Sequence, residues 1–287
     1  MNKFHTNISV LFTTRTLRPA GYFQLVFLLH SLATLTNKIS IKIATNIRSY
    51  IYNNFDREVI INNRIATFSV NAKNDSFVKS IPTYELTYQG WLDRPKKKDI
   101  MIDIGSNIGF FSLLALNKLN YKKVYAFEPH PDSFSRLSMN VHLNNLEKNM
   151  EVFNFPLSAT EEVMDFKAGK VHTGGSSLAK NRKEEVADVL KMSTKTFDAV
   201  SEHIHIDVER ISFVKIDVEG HENEVLLGMK NTLQATLPGT HIFIELNSSS
   251  IEKRKTVNFL HNCGFTKSIE DGDLSNYLFV KMTADLA

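Results

Sequence analysis

From residue 99 onward, short apolar runs alternate with longer segments of helical periodicity, and this constrains the fold more than any other feature. DIMIDIG (99–105), KVYAFEP (123–129), MEVFNFPLS (150–158), ISFVKIDVEG (211–220) and THIFIELN (240–247) read as strands. Between and after them lie SNIGFFSLLALNKLN, PDSFSRLSMNVHLNNL, TFDAVSEH, HENEVLLGMKNTL and IEKRKTVNFLHNCG, which read as helices. Phe134, Leu137 and Val141 share one helical face, as do Val225, Met229 and Leu233. Strands joined through helices pair in parallel and are covered on both faces. FTKSIEDGDLSNYLFVK closes the chain as a hairpin, since Asp271-Gly272 suits a type I′ turn. The expected fold is α/β, a doubly wound, Rossmann-like, mostly parallel sheet with an antiparallel last strand. Ligands of such sheets bind at the carboxyl ends of the strands, where strand order reverses.

Residues 1–81 differ from this body, 82–287. Residues 1–55 hold six of the 34 basic side chains and none of the 31 acidic ones, so the remainder is net acidic. Residues 19–37, PAGYFQLVFLLHSLATLTN, carry no Asp, Glu, Lys or Arg. A spanning helix needs about 20 predominantly apolar residues, and this run is interrupted by Pro, Gly, Gln, His and hydroxyls. It reads first as a helix docked on the domain, then as a membrane anchor, and third as a signal peptide; peripheral membrane contact stays open. EVIINNRIATFSV (58–70) and SFVKSI (76–81) read as the strands of a short hairpin. PTYELTYQGWLDRPKKK (82–98) reads as a helix stopped before Pro95. The single cysteine, Cys263, excludes an intramolecular disulfide and fits a reducing, cytoplasmic setting.

The loop after the first strand of the body is D-x-G-x-N-x-G: Asp103, Gly105, Asn107, Gly109. It lacks the GK[ST] of a phosphate loop and the G-x-G-x-x-G of a dinucleotide fingerprint. An aspartate there repels a pyrophosphate and welcomes an ammonium group. Taken alone, the loop reads equally as a tight turn capped by Ser106 or Asn107. Glu128, ending the second strand, can accept both ribose hydroxyls of a nucleoside, with Pro129 and His130 beside the base. Adenosine with an ammonium-bearing tail and no phosphate is S-adenosylmethionine.

The stretches IDIGSNIGFFSLLA, YAFEPHPDSFSRLSMNVHLNNL and VKIDVEGHENEVLLGM, with IELN and NYLFV, resemble the FkbM-type branch of the class I S-adenosylmethionine-dependent methyltransferases over residues 82–281. The resemblance implies a seven-stranded sheet and O-methylation of sugar, glycolipid or secondary-metabolite hydroxyls. It implies cofactor contacts at Asp103, Gly105, Ser106, Asn107, Gly109, Glu128, Pro129, Leu157, Ser158 and Asp217.

On the acceptor side, Lys215, Asp217 and Glu219 alternate, so in a strand they face one way, with His221 and Glu222 starting the helix. Asp217 is the expected group for orienting the methionyl end or the acceptor hydroxyl. His221 has the intrinsic pKa of a general base, and Lys215 pairs with Asp217 or Glu219. An ion-pair network capping the sheet is the structural alternative. Glu245 and Asn247 end the fifth strand, but no tight ligand spacing supports a metal site, and none is expected. HTGGSS (172–177) reads as a lid or a mobile loop, and Tyr84, Tyr88 and Trp91 as helical packing or a cofactor cover. Two rival readings remain: an RNA ribose methyltransferase, opposed by the acidic body, and a non-catalytic binding relative.

Overall fold

The computed structural model describes residues 58–71, 76–82, 84–169, 176–178, 188–246, 249–271 and 276–283, a strand at 15–18, and scattered helical residues between 25 and 51. Much of the expected 19–37 helix, residues 172–175 of the expected lid, Asn247, and Gly272 of the expected turn lie outside them.

Strand β1 (Arg15–Arg18) pairs antiparallel with β2 (Glu58–Asn62), and β2 with β3 (Thr67–Asn71). The hairpin therefore lies within 58–71. Asn63 turns the chain there, its side-chain oxygen accepting the amide hydrogens of Ile65 and Ala66 at 2.8 and 3.1 Å. Residues 76–81, expected as a strand, instead form the helical turn α1 (Ser76–Lys79). The amide of Asn71 donates to Ser76 Oγ at 2.9 Å and that of Ser80 to the Ser76 carbonyl at 3.2 Å. These local bonds satisfy the segment without a strand partner.

Helix α2 (Leu86–Leu92) stops before Pro95, as expected. Then β4 (Ile100–Ile104), α3 (Phe110–Lys118), β5 (Lys123–Phe127), α4 (Pro131–Leu143) and β6 (Met150–Phe153) alternate. Strands β7 (Val163–Ala168) and β8 (Asp188–Ser193), unforeseen in the sequence, pair as a separate two-stranded sheet. After α5 (Phe197–His203) come β9 (Ile211–Ile216), α6 (Glu222–Gly228) and α7 (Lys230–Ala235). The single helix expected after the fourth strand is thus two, broken at Met229, yet Val225, Met229 and Leu233 are all buried. Strand β10 (His241–Glu245), α8 (Ser250–Asn262), β11 (Phe265–Asp271) and β12 (Asn276–Lys281) complete the chain.

The main sheet has seven strands in the order β11-β12-β10-β9-β4-β5-β6. Only the pairings of β12 are antiparallel; the last strand is inserted between β10 and the edge strand β11. The expected architecture holds. Alternate residues of each strand feed two core layers. Ile100, Ile102 and Ile104 pack with Phe127, Ile216 and Leu226 on one face. Met101, Val124 and Phe213 pack on the other with Phe110 and Leu113 of α3. That second layer also contains Val59, Ile61, Phe68, Val70 and Phe77, so the N-terminal hairpin shares the body's core. Asn140 of α4 and Asn144, which caps its C-terminus, accept the β3 amides of Ser69 and Thr67 at 2.6 and 2.9 Å, which joins the hairpin to the body. This seating brings α1 and the start of α2 to the carboxyl ends of β4, β5 and β9, where strand order reverses.

Candidate active site

The loop after β4 is fixed by backbone contacts. Gly105 adopts φ 76°, and a Cβ there would lie 1.8 Å from the Asp217 carbonyl oxygen, so no side chain fits. The amides of Gly105 and Ser106 both donate to the Phe127 carbonyl, at 3.0 and 3.1 Å. Asn107 sits at φ 51°, and Gly109 at φ 84° is the residue that enters α3. Neither Ser106 nor Asn107 caps that helix, because the cap position is the glycine, which has no side-chain bond to offer.

Glu128 follows β5 and is buried against this loop. Its Oε2 accepts the Asn107 amide at 2.7 Å and its Oε1 the His130 amide at 2.8 Å. Burial pushes its carboxyl up to about 7 despite those two bonds. A carboxylate offers about four acceptor positions, so two remain for a ligand.

Asp103 does not reach the cavity described below. It lies in β4 on the face of Met101, and Ser112 Oγ of α3 donates to its Oδ2 at 2.6 Å. Lys215 occupies the same register on β9, with Nζ 3.8 Å from Asp103 Oδ1. The same ammonium donates to the Gly105 carbonyl and to Asp217 Oδ2, both at 3.2 Å. Burial raises the Asp103 carboxyl, against the pull of Lys215 and Ser112. For Lys215 burial acts downward, but Asp217 and Asp103 outweigh it and hold the ammonium charged. The acid expected in the loop thus acts from behind, through lysine.

Strand β9 ends at Ile216, earlier than expected, so Asp217 and Glu219 lie in the following loop, not on a strand. Glu219 turns left-handed at φ 58°, and Ser177 Oγ donates to its carbonyl at 2.8 Å. Residues 176–178 of the expected lid thus rest against this loop. His221 is buried with Nε2 3.0 Å from Ser158 Oγ and Nδ1 3.8 Å from the Glu224 carboxylate. Burial lowers its pKa and keeps the imidazole neutral. Glu222 Oε1 accepts the Gly220 amide at 2.8 Å, and burial raises its carboxyl to about 7.

These elements enclose a cavity of about 410 Å³, within the range of roughly 300–1,000 Å³ found for small-molecule sites. Of the expected site residues, Gly105, Ser106, Asn107, Glu128, Pro129, Leu157, Lys215, Asp217, Glu219 and His221 line it. Asp103, Gly109 and Ser158 stand behind the wall, bonded to or shaping residues on it. Glu245 also lines the cavity, and among the described residues no cluster of three or more His, Cys, Asp or Glu is placed to hold a metal ion. Tyr88 and Trp91 pack with Phe243, whereas Tyr84 reaches the wall and meets Phe110 edge-on.

Two charged wall residues escape the sequence reading. Lys79 arrives on α1 and Glu85 at the entry to α2, in a left-handed conformation with φ 45°. Burial raises the Glu85 carboxyl; a Tyr84 hydrogen bond opposes this, Asp217 adds repulsion, and Lys215 and Lys79 offset it. The non-glycine left-handed residue is the only trace such a position leaves, and one sequence does not display it.

The family model described as the methyltransferase FkbM domain matches residues 103–267. Hexuronic acid methyltransferase AglP of Haloferax volcanii is 33% identical over 144 residues, which is 50% of this chain and 55% of that protein. Methyltransferase sdnD of Sordaria araneosa is 29% identical over 154 residues, 45% of this chain and 60% of its own length. The chain therefore matches little more than half the length of these two relatives. Among solved structures, methyltransferase FkbM of Methylobacillus flagellatus superposes with a TM-score of 0.45 at 16% identity, over 64% of this chain and 43% of that one.

Proposed function

Because the chain belongs to the FkbM methyltransferase family, whose methyl donor is S-adenosylmethionine, we propose that it methylates a hydroxyl of a sugar, glycolipid or secondary metabolite. Residues 82–287 form the methyltransferase domain in this reading, and 1–81 an extension that supplies Lys79 to the cavity. The buried Glu128, with two acceptor positions left over and a loop of backbone amides beside it, carries the cofactor assignment.

The residues present fit that cofactor. Glu128 accepts the ribose hydroxyls, while Ile108, Phe127, Pro129 and Phe155 give a largely apolar wall for a flat base. Asp217, with Glu85 beside it, receives the ammonium of the methionyl end. Lys215 holds Asp217 from behind and is itself held by Asp103. Gly105, Ser106 and Asn107 bring backbone close to the ligand; Gly109, Leu157 and Ser158 shape the walls. When bound, S-adenosylmethionine supplies an electrophilic methyl group on a sulfonium. His221, neutral and on the wall, takes the acceptor proton, and Ser158 fixes the ring orientation. Glu219 accepts a second acceptor hydroxyl. In-line attack then requires only that the acceptor oxygen be held about 3 Å from the methyl carbon.

The sugar class draws support from the hexuronic acid methyltransferase among the relatives. The charge of the acceptor does not follow that relative. Among the described residues, Glu85, Glu128, Asp217, Glu219 and Glu245 line the cavity against two lysines, Lys79 and Lys215, and Lys215 is already shared among Asp103, Asp217 and a carbonyl. Such a wall favours uncharged polyols or amino sugars over a uronate, and opposes a phosphate backbone in the same way.

The full chain incubated with S-adenosylmethionine and a panel of methyl glycosides, amino sugars and uronates tests this by mass spectrometry. A gain of one methylene unit on a neutral or amino sugar supports the reading. Methylation of a nitrogen-only acceptor, or of uronates in preference to neutral glycosides, overturns it.

A further inference from the structure

The helix around residues 25–32 has two apolar faces. Val26 is buried in the core layer with Phe68, Phe77 and Phe110, and Leu29 packs against the same layer. Leu25, Leu28 and Leu32 point the other way, with exposures of 50%, 52% and 47%. Spacings of three and four residues place those leucines on a single face. A helix docked on a soluble domain normally turns polar residues to water, and one that turns leucines outward marks a surface that is covered in use.

The surrounding sequence indicates what covers it. No acidic residue occurs between 1 and 55, while Lys3, Arg15, Arg18, Lys38, Lys42 and Arg48 surround the uncharged 19–37 run; the rest of the chain is net acidic. An apolar helix face flanked by lysine and arginine carries the two signals that bind a helix in the plane of an anionic bilayer: apolar burial at the headgroup boundary and attraction to negative lipid. A second copy offers an equally basic segment, so two such faces repel. Among the described residues no helix is long and apolar enough to cross a membrane.

We propose that this helix lays Leu25, Leu28 and Leu32 into the headgroup region of an anionic membrane surface, with its inner face still seated on the domain. The docking itself does not depend on the methyltransferase reading.

Flotation of the full chain with phosphatidylcholine vesicles, with and without phosphatidylglycerol, tests it. The protein should float with the anionic vesicles, be released by high salt, and stay behind with the neutral ones. The triple variant Leu25→Gln, Leu28→Gln, Leu32→Gln removes only exposed side chains. It should lose at least about tenfold in partitioning while keeping the wild-type thermal midpoint and circular dichroism. Lys38→Gln with Lys42→Gln should weaken binding to anionic vesicles. Absence of flotation with anionic vesicles, undiminished flotation of the leucine variant, or a concentration-dependent dimer abolished by that variant would each overturn the proposal.

Discussion

Asp103 and Lys215 stand side by side on adjacent parallel strands, Nζ 3.8 Å from Oδ1, within a core layer otherwise built from Met101, Phe110 and Phe213. Asp103 Oδ1 is buried with no hydrogen bond of its own, so the lysine charge is its compensation. The lysine in turn reaches Asp217 and the Gly105 carbonyl on the cavity side. One buried pair therefore ties the sheet interior to the cavity wall.

Removing the lysine leaves a carboxyl stranded in that layer. Lys215→Met should cost about 3–5 kcal/mol in urea denaturation. Adding Asp103→Asn, which keeps a partner for Ser112, should recover a large part of the loss. A single variant within about 0.5 kcal/mol of the wild type contradicts the pairing.

The two loop glycines should differ in tolerance. At Gly105 a Cβ meets the Asp217 backbone at 1.8 Å; at Gly109 it meets side-chain tips, Leu137 at 2.6 Å and Met150 at 3.8 Å. Both lie at positive φ, so both alanine variants lose stability, but Gly105→Ala should lose more and should also displace Asp217. Equal midpoints for the two in urea denaturation count against the described loop.

Glu128 and Glu222 bind their protons more tightly folded than unfolded, since both carboxyls are raised from 4.5 to about 7. Their contribution to stability is complete below about pH 4.5 and is lost as pH rises through about 7. Glu128→Gln should therefore show a smaller fall in thermal midpoint than the wild type between about pH 5 and about pH 8. An unchanged pH profile in that variant argues against a raised Glu128.

Glu85 stands beside Asp217 at the proposed seat of the cofactor's ammonium, coupled to Asp217 and Lys215. Glu85→Lys should weaken S-adenosylhomocysteine binding in isothermal titration by about tenfold or more. Equal affinity in both proteins removes Glu85 from the ammonium seat.

Local spacing made part of this molecule legible. The strand and helix alternation led to the mostly parallel sheet with its antiparallel last strand, the resemblance to its seven strands, and Gly105, Asn107 and Glu128 read as one group that the fold brings together. Features that depend on distant partners were not legible. SFVKSI alternates like a strand, but Ser76 and Asn71 close it into a helical turn that delivers Lys79 to the cavity. Half of the positions of strands β7 and β8 are exposed and only Phe166 and Ala168 are buried, so no apolar rhythm announces them. Asp103 was expected to face the ligand, yet the period-two alternation of β4 sends it inward, where Lys215 meets it.

Cofactor binding depends most on Glu128 as the acceptor of the ribose. Isothermal titration of S-adenosylhomocysteine into the wild type and Glu128→Gln at about pH 8, where the carboxyl is ionised, tests this directly. One site is expected in the wild type, with a loss of at least about tenfold in affinity for the variant, the scale of hydrogen bonds to a charged group. Equal affinities in two equally folded proteins would contradict it.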